Sequence, residues 1–64
     1  MLKDSRAIIE RLQASGFVLV SVRGSHHKLR HPQSGRTVIV PHPRKDIPVG
    51  TVQSIYRQAG WGKD

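Results

Sequence analysis

The sequence predicts an α+β fold with the element order α-β-β-β-α, in which a three-stranded antiparallel sheet carries both helices on one face. Three observations support this. Apolar residues recur at helical spacing near both ends of the chain, β-branched residues fill three short segments between them, and turn residues separate those segments. With 64 residues the chain has the length of one small domain, and we expect residues 1–64 to form a single domain.

The first helix is predicted from Ser5 to about Ala14, with Asp4 or Ser5 as its N-cap. Gly16 is expected to end it, because glycine readily adopts the backbone conformation that closes a helix. Its buried face would carry three apolar side chains, Ile8, Ile9 and Leu12. The helix is therefore expected to cover one face of the sheet.

The second helix is predicted from Val49 or Gly50 and is closed by Gly60. Proline-rich residues 41–48 form a stiff connection before it. Its apolar residues have the spacing i, i+3, i+4 and i+7, and they are Val52, Ile55, Tyr56 and Ala59. That spacing predicts one buried stripe facing the sheet.

The first two strands are predicted to form a hairpin. Phe17–Arg23 has the composition of a half-buried strand, and Gly24 suits the first central position of a type II′ turn leading into a second strand, His26–His31. Because the turn then has two residues, Arg23 and His26 become cross-strand partners. A third strand, residues 37–40, follows a turn over residues 32–35.

This register divides the side chains of the hairpin between two faces. The basic face would collect Ser21, Arg23, His26, Lys28 and Arg30. The apolar face would collect Val18, Val20, Val22, His27 and Leu29. Phe17 and Leu19 do not fit this alternation, which indicates either a β-bulge or a strand that begins later.

Positive charge is concentrated in the middle of the chain. The sequence has 11 Lys and Arg residues against 4 Asp and Glu residues, a formal net charge of +7. No carboxylate occurs between the first and last members of the series Arg11, Arg23, Lys28, Arg30, Arg36, Arg44 and Lys45. This placement predicts one face suited to a polyanion such as a nucleic-acid backbone. The alternative is a solvated surface that only maintains solubility.

Composition also excludes several classes of protein. The chain has no cysteine, so it has neither a disulfide framework nor a cysteine-based zinc site. The first residues lack an apolar run of signal-peptide length, and the apolar run Phe17–Val20 is too short to span a bilayer. A cytoplasmic protein is therefore expected.

The four histidines, His26, His27, His31 and His42, are the candidates for chemistry. A zinc site is disfavoured, because no cysteine or nearby carboxylate joins them. His27 is expected to point to the apolar side, and His31 and His42 lie beside prolines, so a structural role is expected for these three. His26 differs, because it lies on the basic face.

On that face His26 could transfer a proton during RNA cleavage. If it removes the proton of a ribose 2′-hydroxyl, that oxygen can attack the adjacent phosphorus, while Arg23 and Lys28 stabilise charge on the phosphoryl oxygens. Whether His26 acts as base or acid stays open, and His27 or His42 could supply a second acid. Predicted RNA contacts are Arg23, Ser25, Lys28, Arg30, Arg44 and Lys45.

Five short motifs follow one another along the chain. They are Gly24–Leu29, His31–Pro32, Val38–Pro43, Asp46–Thr51 and Gln58–Gly60. In this order and spacing, over nearly the whole chain, they resemble the HicA family of mRNA interferases. One departure is leucine at position 29, where the family commonly has an aromatic residue, and it is expected to affect packing more than chemistry.

The resemblance implies a fold similar to double-stranded-RNA-binding domains and ribosome-independent cleavage of mRNA. It also implies neutralisation by a HicB-type antitoxin that covers the active site, and no metal or small-molecule cofactor. The family's catalytic histidine follows a Gly-Ser or Gly-Gly pair, which corresponds to His26.

Two other functions remain as alternatives. A non-catalytic RNA-binding module could use the same basic face only to hold an A-form backbone, and it would not need His26. A DNA-binding regulator is disfavoured, because the second helix uses its periodic positions for apolar residues and lacks a basic recognition face.

Overall fold

The computed structural model describes residues 1–62 and confirms the α+β class and the predicted element order. Its elements are α1 (Ser5–Ala14), β1 (Val18–Arg23), β2 (His26–Arg30), β3 (Thr37–Pro41) and α2 (Val49–Ala59). The strands form one antiparallel sheet in the order β1-β2-β3. None of the helices within residues 1–62 has the length and apolarity needed to cross a membrane.

Both helices begin and end close to the predicted positions. The side chain of Asp4 caps α1 by accepting a hydrogen bond from the Arg6 amide at 3.2 Å, so Asp4 rather than Ser5 is the N-cap. After α1, Gly16 has a φ of 100°, the left-handed region that favours glycine. Gly60 has a φ of 77° at the C-cap of α2. The two glycines therefore turn the chain where the sequence predicted.

One hydrophobic core lies between the helices and one face of the sheet. Its members are Ile8, Leu12, Phe17, Leu29, Val38, Val40, Ile47, Val52, Ile55, Tyr56 and Ala59. Val38 and Val40 are completely buried in β3, whereas Ile39 between them is 47% exposed. Because alternate residues of a strand point to opposite faces, the helices cover one face and leave the other open. We call this second surface the open face.

The hairpin has the predicted turn. Gly24 has a φ of 55°, and Ser25 does not have a positive φ, a combination that fits type II′. Arg23 and His26 are cross-strand partners, as expected from a two-residue turn. The register of this end of the hairpin is therefore confirmed.

The end of the hairpin away from the turn contains a β-bulge, which moves residues before it to the opposite face from the one predicted. Pairing passes from Leu19 opposite Leu29 to Ser21 opposite Lys28, which leaves Val20 without a partner. Leu19 therefore lies on the same face of the sheet as the helices. Its failure to fit a regular alternation indicated a β-bulge or a later start of the strand, and a β-bulge is present. Val18 lies opposite Arg30 on the open face, so the prediction that Val18 belongs to the apolar face is wrong.

The expectation of a half-buried β1 is also wrong, because every residue of the strand is exposed. Val20 and Val22 are 47% and 52% exposed. An edge position alone is not the reason, because β3 is also an edge strand and its Val38 and Val40 are completely buried. The reason is instead that the helices pack mainly against β3, and the buried strand residues, Leu29, Val38 and Val40, lie in β2 and β3.

The connection between β3 and α2 is bonded to the start of α1. The Ser5 amide donates to the Arg44 carbonyl at 2.8 Å, and the Ile47 amide donates to the Lys3 carbonyl at 2.9 Å. Pro41, which was predicted to belong to this connection, is instead the last residue of β3. The proline-rich segment is therefore held against the N-terminus of α1.

We expect Gly16→Ala to lower the free energy of unfolding by about 1–3 kcal/mol. A Cβ at position 16 would lie 2.9 Å from Nε2 of His31, and the φ of 100° is itself unfavourable for alanine. The His31 ring is held in place, because its Nδ1 accepts from the amides of Gln33 and Ser34 at 3.3 Å each. Urea denaturation measures the effect. Gly50→Ala is the control, since its Cβ meets nothing within 4 Å and stability should stay equal or rise. Equal stabilities of the two variants would contradict this account.

We expect Ser5→Ala to destabilise the fold by about 1–3 kcal/mol, because it removes a buried hydrogen-bonding atom. Ser5 is only 1% exposed. Its Oγ accepts from the Arg44 amide at 2.9 Å and lies 2.7 Å from Nδ1 of His42. Ser15→Ala at an exposed position should change stability by no more than about 0.5 kcal/mol. Thermal and urea unfolding of both variants provide the comparison, and a neutral Ser5→Ala would show that this contact does not contribute.

Candidate nucleic-acid interface

The open face carries a shallow groove with a volume of about 660 Å³. All three strands contribute to it, and its lining residues are Ser21, Arg23, His26, Lys28 and Ile39. The cross-strand pairs explain this grouping, because Ser21 and Ile39 both lie opposite Lys28 in the middle strand. The groove is therefore a direct product of strand register.

His26 occupies one end of the groove. It is the first residue of β2, directly after the Gly24–Ser25 turn, and its side chain is exposed. In the sheet it lies between Arg23 of β1 and Pro41 of β3. The hairpin thus places an accessible imidazole beside a guanidinium group, with a second cation, Lys28, two residues along the same strand.

The charge around the groove has a single sign. No acidic residue occurs between Arg11 and Lys45, so the strands that build the groove carry only cations and neutral side chains. Lys28 is half-buried in the middle of the sheet, and Arg23 is exposed at the end of β1. Such a surface attracts polyanions, and the phosphate backbone of a nucleic acid is the most common polyanionic partner.

The structure brings only some of the predicted contact residues into the groove. Arg30 lies on the open face beyond it, where its Nε donates to Oγ1 of Thr37 at 3.4 Å. Ser25 is exposed in the turn beside His26. Arg44 and Lys45 do not line the groove, because their segment is bonded to the N-terminus of α1. They are exposed, and their contact with RNA stays a prediction.

The other three histidines do not line the groove. His27 lies opposite Val40 on the helix-covered face, and its ring meets that of His42 edge to face at 4.8 Å between centroids. Nδ1 of His27 is buried and has no hydrogen-bond partner among residues 1–62. His31 packs edge to face against Phe17. The contacts of these rings are therefore structural, and the geometry does not favour His27 or His42 as a second acid in the groove.

No group of three or more histidine or carboxylate side chains in the described part of the chain is arranged to hold a metal ion. The groove itself offers one imidazole, two cationic groups and a hydroxyl. These groups can move a proton and bind phosphoryl oxygens, which is the combination required when a ribose hydroxyl attacks a phosphodiester.

Ile39 is the lining residue that sequence reasoning missed. The sequence places Ile39 in the predicted third strand without assigning it to a face, although the alternation of a strand is a usable signal. Val38 and Val40 are buried, so the residue between them must point to the other face. The pairing of β3 with β2 then places Ile39 beside Lys28.

Comparison with known proteins places this fold and groove in a family. A search of curated proteins finds no match. The family model described as the HicA toxin of bacterial toxin-antitoxin matches residues 5–61, a range that contains all five elements and the whole groove. The chain therefore belongs to the HicA toxin family.

Proposed function

We propose that this toxin is an endoribonuclease that cleaves mRNA without the ribosome and uses His26 as its catalytic group. Membership of the family supports a toxin of a toxin-antitoxin system. The single observation that carries the nuclease is the exposed imidazole of His26, in a groove that also contains Arg23 and Lys28. An imidazole close to two cationic side chains suits an anionic substrate that carries its own nucleophile.

The RNA backbone supplies that nucleophile. An imidazole nitrogen of His26 takes the proton of a 2′-hydroxyl, and the oxygen forms a bond to the adjacent phosphorus. The bond from phosphorus to the 5′-oxygen breaks, and this oxygen leaves with a proton from solvent. The products are a 2′,3′-cyclic phosphate and a 5′-hydroxyl. The route requires no metal ion and no small-molecule cofactor.

The cations have separate tasks in this proposal. Arg23 and Lys28 bind the phosphoryl oxygens on which charge increases as the new bond forms. Arg30 lies further along the open face and binds a neighbouring phosphate, as does the exposed turn residue Ser25. Arg44 and Lys45 bind more distant parts of the backbone.

We expect His26→Ala to lower RNA cleavage by about 100-fold to 10,000-fold, the usual contribution of general acid-base catalysis. Stability should change by no more than about 0.5 kcal/mol, because the side chain is exposed. RNA affinity should persist, since Arg23 and Lys28 remain. Cleavage rate, thermal midpoint and affinity for an uncleavable RNA are measured together.

His27→Ala is the matched control for this experiment. It changes the adjacent histidine, whose ring contacts His42 on the helix-covered face, so stability should fall more than cleavage. Wild-type cleavage by a folded His26→Ala protein would end the catalytic assignment. RNA binding without any cleavage by the parent protein would instead favour a non-catalytic RNA-binding module that uses the same basic face.

A toxin of this family implies a cognate antitoxin as its partner. We infer that this partner is of the HicB type, that it acts in the cytoplasm, and that it inhibits by covering the groove with acidic side chains. Arg23 and Lys28 provide the complementary charge, and opposite charge across an interface accelerates association and fixes its register.

We expect Arg23→Glu to weaken the toxin-antitoxin complex at least about tenfold, because the reversed charge repels acidic groups brought to the groove. Arg57→Glu, an equal charge reversal at an exposed position of α2, should leave affinity unchanged. Calorimetry with the purified antitoxin measures both. Equal weakening by the two variants, or an inhibited complex in which Arg23 and His26 stay accessible to solvent, would contradict direct coverage of the groove.

A further inference from the structure

The two sides of the groove differ in chemical character. Around His26, the β1 side has Arg23 and the β3 side has Ile39 on the diagonal, and both residues line the groove. Pro41 is the β3 residue paired with His26 but does not line the groove. Diagonal neighbours in an antiparallel pair are about 7–8 Å apart, still within reach of one small ligand. Any molecule bound at His26 therefore meets Arg23 on the β1 side and an apolar surface on the β3 side, with Lys28 two residues further along β2.

Ile39 is the apolar side chain among the residues that line the groove. It is 47% exposed beside a lysine in the middle of a charged face, although its neighbours Val38 and Val40 are completely buried. No helix of the described chain covers it, since both helices pack on the opposite face. Its apolar surface is removed from water only when a ligand with an apolar surface of its own lies on it.

A nucleotide has two chemically different parts that match these two sides. Its phosphate is an anion, and its base has flat faces that pack on apolar side chains. We propose that Ile39, flanked by Pro41, is a subsite for an unpaired nucleobase next to the cleaved phosphate. This inference rests on the proposed nuclease function. Since a paired base is stacked inside a duplex and cannot reach this surface, the subsite makes the enzyme selective for single-stranded RNA.

The first experiment compares cleavage of a single-stranded oligoribonucleotide by the parent, Ile39→Ser and Ile39→Val. The serine variant should raise KM about tenfold with little change in kcat, because the contact holds substrate without touching the reacting atoms. The valine variant should resemble the parent. Val18→Ser is the matched control, since Val18 is also exposed on the open face but lies opposite Arg30, outside the groove. Equal effects of Ile39→Ser and Val18→Ser would overturn the subsite.

A change in the substrate separates a base contact from a general effect on the protein. Once the cleaved position has been mapped with the parent, the bases on either side of it are removed in turn, which gives two abasic substrates. One of these substrates should be cleaved equally well by the parent and by Ile39→Ser, because the group that Ile39 contacts is absent. A tenfold difference that persists with both abasic substrates would overturn the proposal.

A binding measurement distinguishes failure of the subsite from failure of the nuclease. RNA with a single 2′-deoxyribose at the cleaved position lacks the nucleophile, and its affinity can be compared between parent and Ile39→Ser by fluorescence anisotropy. If the parent cleaves no RNA, an unmodified strand is used instead and its bases are removed one at a time. A tenfold loss of affinity that disappears with one of these abasic strands supports the subsite without the nuclease. Equal affinities would overturn the subsite and leave the role of His26 untouched. Loss of antitoxin binding alone would overturn it too, and would assign Ile39 to a protein interface.

Discussion

The register of the β1–β2 hairpin is the constraint on which the candidate site depends. A two-residue turn at Gly24–Ser25 makes Arg23 the partner of His26, and the pairs as far as Ser21 with Lys28, where the bulge begins, follow from that start. A shift of one residue would exchange the faces. It would turn His26 toward the helices and bring the ring of His27 to solvent. Gly24 permits the correct register because its φ of 55° lies in a region that other residues rarely adopt.

The two helices determine which face remains available for function. A chain of 64 residues can build only one small core, and this core uses the apolar sides of both helices together with Leu29, Val38 and Val40. Nothing in residues 1–62 remains to cover the opposite face. The charged strand residues, which would be costly to bury, lie there instead, and the groove forms where the three strands meet.

Much of this arrangement could be predicted from the sequence, because local rules specify it. Glycine positions predicted the ends of both helices, and turn length predicted the Arg23–His26 pair. The misfit of Leu19 indicated a bulge but not its position at Val20. A strand rich in β-branched residues fits equally well with its valines on either face of the sheet. The exposure of β1 could not be predicted at all. It depends on how far two helices extend across a sheet, a property of their packing rather than of the strand.

His26 and His27 show why residue type alone does not identify a site. They are adjacent in the chain and have the same side chain, yet the pleat of β2 sends one to the groove and the other against His42. The same holds for apolar residues in β3, where Ile39 lies between two buried valines but is exposed because it points to the other face. In a sheet with one open face, the alternation of side chains along each strand therefore decides which residues pack in the core and which are available for binding. The chemistry of the groove follows from which residue types occupy the exposed positions of all three strands.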